Sequence, residues 1–409
     1  MFRETMFRKK NFQYLLLVLT LVLLSVLISA CAGGGSPKTS SEPIKVGAVF
    51  DLTGATADVG TPYADGVKAY VEWKNANGGI DGRQIALSSA DYSYKVDVAE
   101  QLYTQYVQEG VVAFQGWGTG DTEALRTKIA ADKVPFMSAS YSAALLDMSQ
   151  APYNFLIGTS YSDQAIIAER WALDDWQKKG QSGKPNIVVI HHDSPFGTSP
   201  VEDAKKFAEA NGMGFTNMAM PKGATDYVAE LAQIEQFGGN YVIIQNVSSP
   251  AAVLLKDAQS QGMKDKVQFI CLNWCADENL VNLAGGAAEG VIGTIPFTPP
   301  SSHVPGHDDA EKWLKDHGSS LEEKGLHFTQ GWWTMATMSE GIKRVLDDGK
   351  DLTGENLKAA LETIKNFDTG GITSPITFSP ESHRGNNALR LYQVENGKWK
   401  QISDFISAQ

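Results

Sequence analysis

From residue 44 onward the chain alternates β-rich runs with helical ones, and it does so in two successive series. The first series predicts strands at 44–50, 84–90, 111–114 and 134–138, with helices at 66–75, 98–108 and 121–131 between them. The second predicts strands at 186–191, 241–245 and 267–271, with helices at 201–210, 226–237 and 250–261. Strands separated by helices of this length build parallel sheets covered by helices, so the fold class is α/β. The rhythm breaks near 152–162 and again near 290–298, which marks crossings between two similar lobes. The expected division is 44–158 with 291–380 for the first lobe and 159–290 with 381–409 for the second. Helices at 330–346 and 357–364 and a hairpin turning at Asn396-Gly397 complete the chain, whose length suffices for two compact lobes.

The N-terminus is of a different kind. Arg3, Arg8, Lys9 and Lys10 precede an almost wholly apolar run at 15–28, and small residues then lead to Cys31. Basic, apolar and small in that order read as an export signal over residues 1–30. The alternative is an uncleaved anchor helix, although the apolar run falls short of the ~20 residues a spanning helix needs. Residues 27–31, Leu-Ile-Ser-Ala-Cys, resemble a bacterial lipobox, with Cys31 as the lipidated residue, and residues 31–43 read as a flexible Gly/Ser tether. The globular part then lies outside the cytoplasm, in the periplasm or on the outer face of the membrane. Residues 1–30 hold four basic residues and one acidic, so their removal takes the formal charge from −12 to −15. Such an acidic chain speaks against nucleic acid as a partner. Cys271 and Cys275 remain, either as a disulfide or as buried thiols, and two cysteines alone make a poor metal set.

Open parallel sheets bind ligands beyond the carboxyl ends of their strands, which selects the loops at 52–60, 115–122, 139–143, 192–198, 246–250 and 272–276. In the second of these, Trp117 supplies an apolar wall and Thr119 a hydroxyl, beside a helix start that suits an anion. The rival readings are a phosphate loop, whose glycine spacing does not fit, and a plain turn with Asp121 or Thr122 as helix cap. Ser140, Tyr141 and Ser142 gather hydroxyls about an aromatic ring in the third loop; a Ser-rich turn is the bland alternative. His191-His192-Asp193 reads as satisfied strand-end residues, because neighbours on a strand point to opposite faces. No nucleophile, base and orienting group come together, so the chain reads as a receptor without cofactor or metal and not as an enzyme.

With residues 44–47 (Ile-Lys-Val-Gly), Thr53-Gly54, 77–82 (Asn-Gly-Gly-Ile-Asp-Gly), 284–290 and 396–399 in this order behind a lipobox, the sequence resembles the branched-chain amino acid (Leu/Ile/Val) type of periplasmic binding protein of ABC transporters. The resemblance implies a type I periplasmic-binding-protein fold, two Rossmann-like lobes joined by a three-strand hinge and closing on a ligand. It implies ABC permease and ATPase subunits as partners, a monomer, and a ligand that is an amino acid, an amide or a small carboxylate. The family's carboxylate-binding hydroxyl falls on Thr119, its backbone donor on Ser140 and its second hydroxyl on Ser142. The covering aromatic falls on Phe196, with Tyr161 as a further one. Aromatics of the family give way to Val59 and to Ser248 or Ser249, and the acid that pairs with a ligand ammonium gives way to Asn273, beside Trp274. Asp121 or Asp193 stands as another source of negative charge. The same clamp serves a signalling partner in the second reading and an amide-processing enzyme in the third.

Overall fold

The computed structural model describes residues 42–408; the export segment, Cys31 and the tether as far as residue 41 lie outside the described residues. The first sheet holds β1 (Ile44–Phe50), β2 (Ile85–Asp91), β3 (Ala113–Gly116), β4 (Phe136–Ser138) and β5 (Asn154–Phe155). All are parallel, in the order β2-β1-β3-β4-β5. Their connections are α1 (Ala57–Ala76), α2 (Val96–Gln108) and α3 (Thr119–Asp132), and a short 3-10 turn before β5. Six of the seven β1 residues are buried, as a strand covered on both faces requires.

The second lobe opens with α4 (Tyr161–Lys178). Its sheet contains β6 (Asn186–His192), β7 (Gly214–Met220), β8 (Tyr241–Gln245), β9 (Gln268–Cys271), β10 (Ile292–Ile295), β11 (Ala388–Glu395), β12 (Lys398–Gln401) and β13 (Ile406–Ser407). The order is β12-β11-β10-β9-β8-β6-β7, with β13 beside β11; β6 to β10 are parallel and β11 runs antiparallel to β10. Between these strands lie α5 (Pro195–Thr198), α6 (Val201–Ala210), α7 (Val228–Phe237), α8 (Ser248–Ser260) and α9 (Glu278–Ala284). After β10 the chain adds α10 (Asp308–Asp316), α11 (Leu321–Asp347) and α12 (Gly354–Leu361) before it returns to β11.

Two glycines dock α11 on the first lobe. A Cβ on Gly66 would stand 2.0 Å from the Phe328 carbonyl oxygen, and one on Gly331 2.0 Å from that of Tyr63. The backbones of α1 and α11 therefore touch where only glycine fits. A second break matters for function: Gly325 takes φ 75°, ψ −174° inside α11 and splits it into two helical pieces.

Three crossings join the lobes. The first follows β5 and the third precedes β11; they meet where Leu156 N donates to His383 O (3.1 Å) and Gly385 N to Leu156 O (2.8 Å). The second falls inside the 290–298 break, a few residues after the lobe boundary expected at 290/291. Ile292–Ile295 pairs in parallel with β9, so this stretch lies in the second sheet and the chain crosses after Ile295. The rhythm also passes over β7, an edge strand whose mixed apolar and polar residues are mostly half-buried.

Each sheet has its first strand flanked by its second and third, β2-β1-β3 and β7-β6-β8. Beyond β1 and β3, and beyond β6 and β8, consecutive connections leave in opposite directions. Such switch points are where α/β sheets open a crevice, and the two crevices face each other.

Candidate ligand-binding site

The first wall begins at Asp51, just past β1. Its Oδ1 accepts from Gly54 N (2.6 Å), and its Oδ2 from both Thr56 N and Thr56 Oγ1 (2.8 Å each). Thr56 Oγ1 in turn accepts from Trp117 Nε1 at 2.8 Å, which pins the loop after β1 to the loop after β3. Trp117 and Gly118 are all that separates β3 from α3. Gly118 caps α3 without a side-chain hydrogen bond, and Gly118 and Thr119 line the crevice at the positive end of that helix's dipole. Thr119 Oγ1 lies 2.6 Å from Ser140 Oγ, which sits beyond β4. Thr122 Oγ1 and Ser138 Oγ (2.9 Å apart) and the Ser140 N–H donating to Ser138 Oγ (2.8 Å) hold the two loops together.

The opposite wall is aromatic. Tyr161 opens α4 behind a Ser160 cap, Phe196 sits in α5, Val247 precedes α8, and Trp274 follows β9. Trp274 Nε1 donates to the Tyr161 hydroxyl at 2.8 Å, and that hydroxyl donates across to Ala139 O at 3.4 Å. Trp117 and Trp274 meet edge to face with centroids 5.0 Å apart. Between the walls lies a small cavity of about 20 Å³, room for about one water. The first lobe lines it with Thr56, Val59, Tyr94, Trp117, Gly118, Thr119 and Ala139; the second lines it with Tyr161, Phe196, Val247 and Trp274. Among the described residues, none that lines it carries a charged side chain.

Five of the nine residues singled out in the sequence therefore line one cavity: Trp117, Thr119, Tyr161, Phe196 and Trp274. Ser140 supports Thr119 rather than lining the cavity. Tyr141 is fully buried and stacks on Trp274, with centroids 5.9 Å apart. Ser142 accepts from Ala144 N, donates to Glu123 Oε1 (2.7 Å), and meets Ser199 Oγ of the second lobe at 3.2 Å. Asn273 is also outside the lining. Its Oδ1 accepts from Gln330 Nε2 (2.6 Å), its N donates to Gln164 Oε1 (2.9 Å), and its Nδ2 is buried without a protein partner. A side chain held by α11 in this way is turned to the lobe interface.

Two carboxylates flank the cavity. Burial pushes the Asp121 carboxyl up to about 7, against the hydrogen bond from the Tyr92 hydroxyl (2.9 Å) and with the nearby charge of Asp51 acting in the same direction as burial. Asp58, in the first turn of α1, accepts from Ser249 N (2.9 Å) and Ser249 Oγ (2.6 Å) across the cleft. Burial raises its carboxyl too, although both Ser249 bonds oppose it. Cys271 and Cys275 are buried free thiols. The strand-end histidines have local partners: His191 Nδ1 contacts His192 O (3.0 Å) and His192 Nδ1 contacts Ser194 Oγ (2.7 Å).

Thr56, Tyr94, Ala139 and Val247 join the lining without having been singled out. Tyr94 lies beyond the carboxyl end of β2, so the strand-tip rule applied to that strand finds it; Ser93 and Tyr94 both take positive φ there (51° and 58°). Thr56, Ala139 and Val247 lie in loops the strand-tip rule already selects, but nothing local marks Thr56 within 52–60, because its role depends on an indole 61 residues away.

Residues 43–398 match the family model described as periplasmic binding protein. A Leu/Ile/Val-binding protein homolog 2 from Brucella abortus is 26% identical over 297 residues, 72% of this chain and 77% of that one. A branched chain amino acid ABC transporter protein from Thermus thermophilus, solved with bound valine, superposes with a TM-score of 0.84 at 26% identity, covering 90% of this chain and 96% of that chain. An ABC transporter substrate binding protein from Aeropyrum pernix gives 0.80 at 28% identity, covering 90% and 97%. Paired sheets, facing switch points and a cavity between them agree with these matches, and the chain belongs to the periplasmic binding protein family.

Proposed function

We propose that this protein is the extracytoplasmic receptor of an ABC importer, lipid-anchored through Cys31, which captures a small apolar carboxylate and delivers it to a permease. The observation that carries the ligand class is the lining: hydroxyls and the start of α3 on one wall, rings on the other, and no charged side chain. A carboxylate matches Thr119 and the start of α3. An ammonium group would be buried without a counter-charge, which is costly. Asp58 is engaged by Ser249, and Asp121 is held largely protonated by burial below neutral pH. Valine, bound by the Thermus relative, carries both a carboxylate and an ammonium; this lining suits the first and offers the second no counter-charge.

Calorimetric titration with 4-methylpentanoate, its amide and leucine tests the class, since the three share an apolar body. The acid should bind stoichiometrically, without turnover, and at least about tenfold more tightly than leucine, a difference of ~1.4 kcal/mol. Leucine binding as tightly as the acid would show that the ammonium has a partner, and the class would fall.

A further inference from the structure

Behind Trp274 a chain of buried polar groups runs from one lobe to the other. His327, on α11 of the first lobe, places Nε2 2.9 Å from Asp277 Oδ2 of the second, and both side chains are about 3% exposed. The same Asp277 oxygen accepts from Ser248 Oγ (2.6 Å), and its Oδ1 caps α9 through Leu280 N (2.7 Å). On its other side His327 Nδ1 lies 2.5 Å from Gln330 Oε1, and Gln330 Nε2 donates to Asn273 Oδ1. In this arrangement Gln330 Nε2 donates to Asn273 and its Oε1 faces the ring as acceptor. A carboxylate accepts only, so both ring nitrogens donate, which is the imidazolium form. The His327 ring also stacks on Trp274, with centroids 4.9 Å apart and planes at 28°.

We propose that His327 and Asp277 form a protonation-dependent latch that holds the lobes closed and fixes Trp274 against the ligand. They are positioning residues, because neither lines the cavity. The break at Gly325 makes the latch possible. It frees Leu326 N to donate to Glu278 Oε2 of the second lobe (2.9 Å) and swings His327 toward Asp277. The charges about His327 come from three elements: Asp277 and Glu278 at the start of α9, Asp58 on α1, and Lys324 on its own helix, which pairs with Asp65 at 3.2 Å. Burial alone pulls the imidazole down; the bond to Asp277 and its charge, with Gln330 and Glu278, outweigh burial and hold it above the ordinary histidine range. Opening returns it to about 6.5. The latch is therefore fully engaged below that value and is lost as pH rises through the closed-state value, so closing takes up a proton near neutrality.

This inference rests on the clamp reading and not on the ligand. Ser142→Cys with Ser199→Cys, whose hydroxyls meet across the cleft at 3.2 Å, offers a disulfide that locks the lobes shut. The ring nitrogens of His327, assigned by loss of signal in His327→Gln, are then titrated by NMR in the oxidised and reduced forms. His327 should stay doubly protonated to a higher pH in the oxidised protein. Equal titration in both forms, or a single ring proton at neutral pH in the locked one, overturns the latch. In the unlocked protein the affinity for 4-methylpentanoate should fall more steeply between about pH 6 and pH 8 than in His327→Gln, where only the nearby Asp121 carboxyl titrates in that range; equal slopes in the two proteins would count against the latch. Silence from this probe in both proteins would count against the ligand class alone, and the locked-protein titration would still decide the latch.

Discussion

The two walls of the cleft do different work with different chemistry. The first-lobe wall is polar and preassembled. Thr119, Ser140, Ser138 and Thr122 are bonded to one another within two neighbouring strand-end loops, whatever the second lobe does. The second-lobe wall is made of rings from separate elements, and its central ring depends on the far lobe: Trp274 reaches Ala139 through Tyr161 and rests on His327. Hydrogen bonds demand fixed geometry, whereas apolar burial is non-directional. A clamp can therefore read the head group on a rigid wall and leave the apolar body to the wall that moves. The same division explains why the polar wall needs no charged residue: helix-end N–H groups and hydroxyls suffice for an anion.

Trp274→Ala should break this division most severely. Removing the ring takes away the cover, the bond to Tyr161 and the partner of Trp117, a loss of roughly 2 kcal/mol or more, or about thirtyfold in affinity. The loss should be equal for 4-methylpentanoate and its amide, since the body is common to both. Calorimetry on the folded variant, checked by its circular dichroism, decides it; a loss confined to the acid would make Trp274 a head-group residue.

Thr119→Val is the complementary cut, keeping shape while removing one hydroxyl. A hydrogen bond to a charged group contributes about 1.5–3 kcal/mol, and one to a neutral group about 1. The acid should therefore weaken roughly tenfold or more and the amide about fivefold. Identical losses for the two ligands would mean that no charge sits on the polar wall.

These two walls were unequally legible in the sequence. The polar one lies in two loops that a single rule selects, and Thr119 follows its strand so closely that its place in space is nearly its place in the chain. For the aromatic one, the strand-tip rule selected the loops at 192–198 and 272–276, and the resemblance picked Phe196 and Trp274 within them. What lies behind it was not. Asn273 invites a ligand role by its position, yet it is claimed by Gln330, 57 residues further on, and Asp277 is claimed by His327, 50 residues on. No periodicity or turn signal links α11 to the loop after β9; the pairing exists only because Gly66 and Gly331 let α11 lie against α1. The crossing after Ile295 was displaced for a similar reason, since a strand of four residues resembles a crossing until its partner is known.

Closure itself has a smaller, separable share. Ser249 gives Asp58 two hydrogen bonds across the cleft, one from its backbone and one from its hydroxyl. Ser249→Ala keeps the first and removes the second. Both polar and aromatic walls stay intact, so any loss reports on bringing them together and not on either one. Burial raises the Asp58 carboxyl, so this bond counts near the neutral figure of about 1 kcal/mol rather than the charged one. Affinity should fall by about fivefold for the acid and the amide alike, the smallest of the three effects. Because the bond forms only on closing, the loss should appear as faster dissociation, with association unchanged within about twofold. Stopped-flow measurement of both rates distinguishes this from damage to either wall: a slower association would place Asp58 and Ser249 in the path of the entering ligand instead of in the closed seam.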